Sequence, residues 1–475
     1  MDNILKIPET SVLQFITSEQ AWHYSIVPKT INADGLEFYC GSGTDLSQTK
    51  EELELLFGKK ITLVPIDNTE LKKCLSTCYI RRNGNSGNTN LSLNSDNFLE
   101  NLINEAADIN SSDIHIETSE KSGRVRLRID GKLIERFIIK KEDYQSLINK
   151  IKILANIDIA EKRLPQDGRI MFRSGRQEHD IRVSIVPSIF GEKAVLRLLR
   201  KSAADLDLYK IGFSETQLPV YLEGIRKSHG IVLISGPTGS GKTTTLYATL
   251  NILNKNDVNI LTIEDPVEYT IAGINQVHLR EDIGLTFSRA LRTFLRQDPD
   301  IIMLGEIRDA ETAQMAIRAA LTGHLVLSTI HTNSAWGIIA RLIDMGIPPF
   351  LAASTLNLAA AQRLVRKLCD KCKQAANKTD IRYKRLQGSF ELPEKFYEPT
   401  GCDYCYHTGY AGRQAIFEVI GINSHLKDEI KSVKTDVKKY LTEQNVTSLS
   451  QSALEALRAG VTSLDEIYSI LISED

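Results

Sequence analysis

The sequence predicts a multidomain α/β protein, and three observations carry that prediction. The chain has 475 residues, enough for two to four domains at roughly 100–200 residues each. A wholly apolar run, Ile231-Val232-Leu233-Ile234, leads straight into a glycine-rich segment followed by a helical pattern. Residues 82–90, Arg-Asn-Gly-Asn-Ser-Gly-Asn-Thr-Asn, hold no apolar side chain and separate two differently patterned regions. Hydrophobic residues at 42% and charged residues at 25% are ordinary for a globular protein and exclude a disordered or fibrous one.

Charge and targeting narrow the classes further. With 58 Lys plus Arg against 60 Asp plus Glu, the net charge of −2 argues against a general nucleic-acid binder, although a local basic face remains open. Met1-Asp2-Asn3-Ile4 lacks a basic segment followed by an apolar one, so no signal peptide is expected. No stretch approaches the ~18 apolar residues of a membrane span. The longest uncharged run, Met345 to Gln362, carries Pro348-Pro349, Ser354, Thr355 and Asn357 and reads as loop plus buried helix. A soluble protein is expected. Seven cysteines without an export signal make disulfides a poor default.

Residues 1–81 read as a small α/β domain. Ala21–Val27 and Leu36–Cys40 suggest strands around the turn Asn32-Ala33-Asp34-Gly35, Lys59–Pro65 is strand-like, and 48–57 and Thr69–Ile80 look helical. Cys74 and Cys78 share a helical stripe with Leu71 and Leu75 and read as core rather than ligands. Residues 82–94 form a flexible linker. From 95 to 202 the order is a helix (97–108), strands at 114–117 and 124–129, an Asp130-Gly131 turn, a third strand, a helix (142–155) and strands at 169–173 and 180–185. That is an α+β domain. After a link at 203–213, residues 214–475 alternate buried strands with helices, the pattern of a nucleotide-binding domain.

Within it, Gly236-Pro237-Thr238-Gly239-Ser240-Gly241-Lys242-Thr243-Thr244 contains G-x4-G-K-T in its required strand–loop–helix setting. Such a loop cradles phosphates on backbone N–H groups and a helix N-terminus. Lys242 then reaches the β/γ-phosphates and the Thr243 hydroxyl ligates Mg²⁺, so ATP or GTP binding follows. A second apolar strand, Ile301–Leu304, ends in Gly305-Glu306, where such folds place a carboxylate for metal or water; Asp is usual there, so Glu306 is a departure. Between these lies Thr262-Ile263-Glu264-Asp265-Pro266-Val267-Glu268, whose three carboxylates repel one another unless a cation or water needs them. A solvated acidic turn is the bland alternative; with the loop upstream, Glu264 is the candidate for polarising the attacking water and Glu306 the alternative. His324 and His331 bracket a further buried strand, and His331, at its C-terminal end, is better placed to sense the γ-phosphate.

These boxes, with Leu304-Gly305-Glu306-Ile307-Arg308-Asp309, resemble the secretion and type IV pilus superfamily of ATPases. The resemblance extends upstream through Ser112-Asp113-Ile114-His115-Ile116, Arg126-Leu127-Arg128-Ile129-Asp130-Gly131, Arg163–Arg169, Asp180-Ile181-Arg182-Val183-Ser184 and Gly191-Glu192-Lys193. It implies a RecA-like P-loop motor domain preceded by two smaller domains, and a cytoplasmic homohexamer attached peripherally to the inner membrane. The expected partner is the cytoplasmic domain of an inner-membrane platform protein, met through residues 1–81; no nucleic-acid partner is expected. ATP would sit between the α+β and motor domains, with Arg169 and Arg182, and less firmly Arg197, contacting the γ-phosphate. A guanidinium neutralises charge on a transferring phosphoryl group; a surface ion pair is the competing reading of each.

Cys369-x2-Cys372, 29 residues, then Cys402-x2-Cys405 is a four-thiolate pattern that fits a closed structural Zn²⁺ site in a subdomain near 365–415 of the motor domain. A redox pair competes, but it normally needs one Cys-x-x-Cys beside a βαβ unit. The quartet also resembles assembly and secretion members. The function expected is a hexameric ATP hydrolase driving pseudopilin assembly in type II secretion, with pilus extension as the alternative; the short first domain favours the former. A nucleic-acid translocase lacks aromatic residues interleaved with basic ones, and a scaffold without turnover would not need the full set of charged site residues.

Overall fold

The computed structural model describes residues 10–79 and 97–199 with short gaps inside each, 206–376, 390–432 except 407, 443–472, and isolated residues 383, 386 and 441. The linker at 82–94, the turn residues 32–34 and the start of the 203–213 link lie outside the described residues. The chain divides into two compact units. One comprises 1–201 with 369–373 and 399–411; the other holds the rest. The cysteine knuckles, expected inside the motor domain, therefore pack with the first unit.

In the first unit, helices α1 (Thr10–Leu13) and α2 (Ser18–His23) lead to strands β1 (Ile26–Ile31) and β2 (Leu36–Gly41), then α3 (Leu46–Phe57), β3 (Ile61–Ile66) and α4 (Asn68–Cys78). The expected strand over Ala21–Val27 is in part wrong: 21–23 belong to α2, where Ala21 is fully buried, and Ser25 at φ 50° makes the turn into β1. Strands β1 and β2 pair antiparallel, β2 and β3 parallel. Leu53, Leu71, Cys74 and Leu75 close the core beneath them, as the helical stripe implies.

The α+β region contributes α5 (Phe98–Asp108), β4 (Asp113–Thr118), β5 (Ser122–Ile129), β6 (Lys132–Lys140), α6 (Lys141–Leu154), β7 (Gln166–Ser174), β8 (Gln177–Ser188) and β9 (Gly191–Leu199). Strand β9 was not anticipated. The sheet order is β6-β5-β4-β9-β8-β7, antiparallel throughout. Side chains alternate between faces along each strand. Ile114, Ile116, Val125, Leu127, Ile170, Ile181, Val183 and Leu196 face inward and pack with α5 and α6 through Leu99, Leu102, Ile103, Tyr144, Ile148 and Ile151. The buried Lys152 ammonium lies 2.6 Å from Glu192 and donates to the carbonyls of Asp158 and Glu161, which pins the loop before β7.

The second unit is built on a seven-stranded sheet. Its elements run α7 (Gln217–Ile225), β10 (Gly230–Ser235), α8 (Lys242–Leu253), β11 (Ile260–Glu264), β12 (Asn275–His278), α9 (Phe287–Phe294), β13 (Ile301–Leu304), α10 (Ala310–Leu321), β14 (Leu325–Ile330), α11 (Ala335–Asp344), α12 (Pro349–Thr355) and β15 (Leu356–Leu368). A two-residue ladder of β16 (Gln374–Ala375) and β17 (Tyr397–Glu398) precedes β18 (Tyr410–Gly421). The sheet order is β12-β11-β13-β14-β10-β15-β18, and every pairing from β12 to β15 is parallel. Central strands buried on both faces need apolar side chains throughout: in β10, Ile231 and Leu233 enter one core while Val232 and Ile234 enter the other. The stretch read as loop plus buried helix corrects to α12 followed from Leu356 by β15. Its run of alanines suits a helix, but the close approach of β10 on a doubly covered sheet selects small side chains in a strand.

Candidate active site and cysteine centre

In a doubly wound sheet the site lies beyond the carboxyl ends of the strands, and the expected boxes of the second unit gather there. The loop after β10 turns on positive φ at Gly236 (148°), Gly239 (80°) and Gly241 (86°). A Cβ on Gly236 would stand 2.5 Å from the Gln362 carbonyl oxygen, so only glycine fits. The Lys242 side chain folds back into the loop and donates to the carbonyls of Gly236 (2.8 Å) and Pro237 (3.1 Å). Burial pushes its ammonium below the usual range, offset in part by the Glu306 carboxylate. The buried Ser240 hydroxyl has no partner and lies within this loop, while Thr243 and Thr244 are exposed on the first turn of α8. A phosphate would satisfy an orphaned hydroxyl and a curled lysine together.

The neighbouring strand ends carry the acids. Glu264 closes β11 at 2% exposure, and its carboxylate accepts from Thr262 Oγ1 (2.6 Å), Gln276 Nε2 (3.0 Å) and the Tyr247 hydroxyl of α8. Glu306, just past β13, is within 3.1 Å of His331 Nε2 and accepts from Arg308, which also reaches Asp265 at 3.4 Å. Burial pushes the Glu306 carboxyl up, but Arg308 and His331 outweigh it and hold the group below the usual range. Thr329 of β14 donates to the Gly305 carbonyl at 2.8 Å and so fixes the turn that carries Glu306. His324 lies elsewhere: its Nδ1 is 2.9 Å from the Ala319 carbonyl, where it closes the end of α10.

Three residues of this site were not anticipated. Gln362 of β15 donates to the Ser240 carbonyl (2.8 Å) and accepts from Thr245 (2.8 Å), bracing the phosphate loop from the adjacent strand. Tyr247 and Gln276 are the donors that bury Glu264. A polar residue in the middle of a buried run was the signal available for Gln362; Tyr247, one turn past Thr243, sits on the phosphate-loop helix.

In the first unit, Arg169 of β7 lies opposite Arg182 of β8, Arg182 opposite Arg197 of β9, and Arg197 opposite Asp113 of β4. Residues in register share a face, so these arginines form one row on the face turned away from α5 and α6. Arg169 donates through Nε (2.6 Å) and Nη2 to Asp180, and Arg197 Nε to Asp113 at 2.8 Å. Burial raises the Asp113 carboxyl, yet its hydrogen bonds to Arg197 and Ser112 leave it below the usual range.

The four cysteines converge in the same unit. Sγ separations are 3.8 Å for Cys369–Cys402, 3.7 Å for Cys372–Cys405 and 3.8 Å for Cys402–Cys405, with all four within 4.8 Å. A tetrahedron of ~2.3 Å Zn–S bonds has edges of about 3.8 Å, so the donor set fits that ion. Backbone N–H groups of Cys402 (3.2 Å) and Gly409 (3.3 Å) point at Cys405 Sγ. Lys371 rests 4.0 Å from the Tyr404 ring centroid, joining the two knuckles by a cation–π contact.

Residues 93–469 match the family described as type II/IV secretion system protein. The chain is 48% identical over 374 residues to a type IV pilus assembly ATPase, PilB, of Myxococcus xanthus, covering 77% of this chain and 66% of that protein. It is 46% identical over 381 residues to type II secretion system protein E of Pseudomonas aeruginosa, covering 78% and 74%. The type II secretion system ATPase E of Vibrio cholerae is 45% identical over 371 residues, at 78% and 74%. Among solved structures, the pilus retraction motor PilT with bound ADP superposes with a TM-score of 0.53 at 26% identity, covering 77% of this chain and 94% of that one. The Legionella pneumophila ATPase DotB gives 0.59 at 22%, covering 80% and 96%, a likeness of fold. The expected RecA-like P-loop architecture with preceding smaller domains is thus borne out.

Proposed function

This chain belongs to the type II/IV secretion system protein family and is an ATP hydrolase of it, and from that premise we propose that it powers pseudopilin assembly and protein export in a type II secretion system. The observation that carries the catalytic reading is Lys242, folded into the carbonyls of its own glycine loop beside the Glu306 carboxylate. On binding ATP, Lys242 leaves those carbonyls for the β/γ-phosphates, and the N–H groups of residues 238–244 hold the remaining oxygens. The Thr243 hydroxyl would hold Mg²⁺, which when bound would supply positive charge against the phosphate oxygens. Glu306 or Glu264 polarises the attacking water, and His331 steadies the Glu306 carboxylate. Arg169 and Arg182, with Arg197, meet the γ-phosphate; what supports this is their alignment in register on three adjacent strands, which gathers three guanidinium groups on one face. The test is Lys242→Ala, which should abolish turnover; wild-type hydrolysis would refute the assignment.

The 48% identity to a pilus assembly ATPase favours pilus extension as the second reading. Deleting the gene separates them: exported proteins fail in the first case, surface pili in the second. In either, a homohexamer is proposed because a heterologous contact that closes makes a ring. Attachment to an inner-membrane platform protein is assigned to residues 1–81, from the cytoplasmic side. Among the described residues no helix is long and apolar enough to cross a membrane. Zn²⁺ is proposed at Cys369, Cys372, Cys402 and Cys405, where it would staple the two knuckles. Metal analysis of reduced, chelator-free protein should find about one equivalent per chain, and Cys402→Ser should lose it.

A further inference from the structure

Arginines placed directly opposite one another on a sheet repel, so a row of Arg169, Arg182 and Arg197 across three adjacent strands needs something to order it. Both ends of the row carry a carboxylate. Asp180 takes a two-pronged fork from Arg169, which is otherwise 63% exposed along its side chain. Asp113 takes the Nε of Arg197, itself 58% exposed, and is fixed in turn: its carboxylate is 6% exposed, accepts from Ser112 Oγ at 2.8 Å and lies 3.5 Å from Arg128 Nε. Each acid thus grips its arginine while more than half of the arginine side chain stays exposed. Exposed ion pairs add little stability. They do restrict rotamers, and a planar guanidinium fork is useful only when it is aimed. Ser112, Asp113 and Asp180 otherwise have no role in the site described above.

We propose that Asp180 and Asp113 are positioning residues, which hold Arg169 and Arg197 extended on the open face of the sheet and aimed at the anionic ligand that the row receives. The inference rests on the reading of these arginines as γ-phosphate contacts. A guanidinium left without its acid samples many rotamers, and the fraction poised for the transferring phosphoryl group falls.

The test is a double-mutant cycle on full-length protein, measuring kcat, nucleotide affinity and thermal melting. Asp180→Asn, isosteric and uncharged, should lower kcat about tenfold while nucleotide affinity stays within roughly twofold. Arg169→Ala should lower kcat further, and the double variant should be no slower than Arg169→Ala alone. Asp180→Glu should recover part of the loss. Asp113→Asn with Arg197→Ala forms the parallel cycle, with melting measured because Asp113 is buried. Normal kcat in Asp180→Asn and Asp113→Asn, or losses that multiply independently in the double variants, would overturn the proposal while leaving the arginine reading intact. Arg169→Ala and Arg197→Ala with wild-type turnover would instead overturn that reading and the proposal with it.

Discussion

Glu264 and Glu306 end neighbouring, parallel strands at the same edge of one sheet, yet their carboxylates live differently. Glu264 is at 2% exposure among three donors from Thr262, Gln276 and Tyr247. Glu306 keeps a side chain 17% exposed, is gripped by Arg308 and His331, and its charge is felt by Lys242. A water-polarising carboxylate needs an oxygen lone pair free for the water. As the two acids stand, Glu306 keeps a lone pair on each oxygen in a partly exposed side chain, whereas Glu264 has one left on a carboxylate that is almost wholly buried. The sequence pattern puts Glu264 first and Glu306 second; their neighbours favour the opposite order.

Replacing each acid by its near-isosteric amide breaks or sharpens that contrast. Both Glu306→Gln and Glu264→Gln should still bind ATP. Glu306→Gln should lose about 10²–10⁴-fold in kcat, the range for a general base, and Glu264→Gln less. If Glu264→Gln proves the slower, the water belongs to β11. The next effect is on stability. Tyr247→Phe removes one donor from a buried carboxylate and should cost about 1–3 kcal/mol, seen as a lower melting temperature of the motor unit. An unchanged melting temperature would mean that the carboxylate finds another donor and that Glu264 is less committed than it looks.

How far the site was legible follows from the kind of signal each part carries. The phosphate loop, the acids and His331 come from contiguous boxes whose chemistry dictates residue type at fixed spacing, and the sheet brings them to one edge. Four cysteines in two Cys-x-x-Cys pairs announce themselves for the same reason. Tyr247, Gln276 and Gln362 are ordinary polar residues on separate elements, and only the parallel register of β15 with β10 and β11 with β12 makes them partners. The strand Leu356–Leu368 was misread because alanines satisfy helix propensity equally well, and burial on both faces removes the alternation that marks a strand. The arginine row shows the same limit: Arg169, Arg182 and Arg197 are visible one at a time, but their alignment depends on β9 and on the antiparallel register.

The smallest expected effect concerns pH. The Glu306 carboxyl is held below its usual range because Arg308 and His331 outweigh its burial. A carboxyl with a depressed folded pKa contributes stability above its unfolded value and loses it as pH falls through the folded one. Glu306 therefore stays ionised, and able to accept a proton, through mildly acidic conditions. Arg308→Gln removes the closest positive charge and leaves burial less opposed, so the pKa of Glu306 should rise. The acid limb of the kcat profile should then move to higher pH if Glu306 handles the water, with nucleotide affinity at neutral pH little changed. An acid limb that stays in place in Arg308→Gln, while kcat at neutral pH remains high, would move the water-polarising role from β13 back to β11.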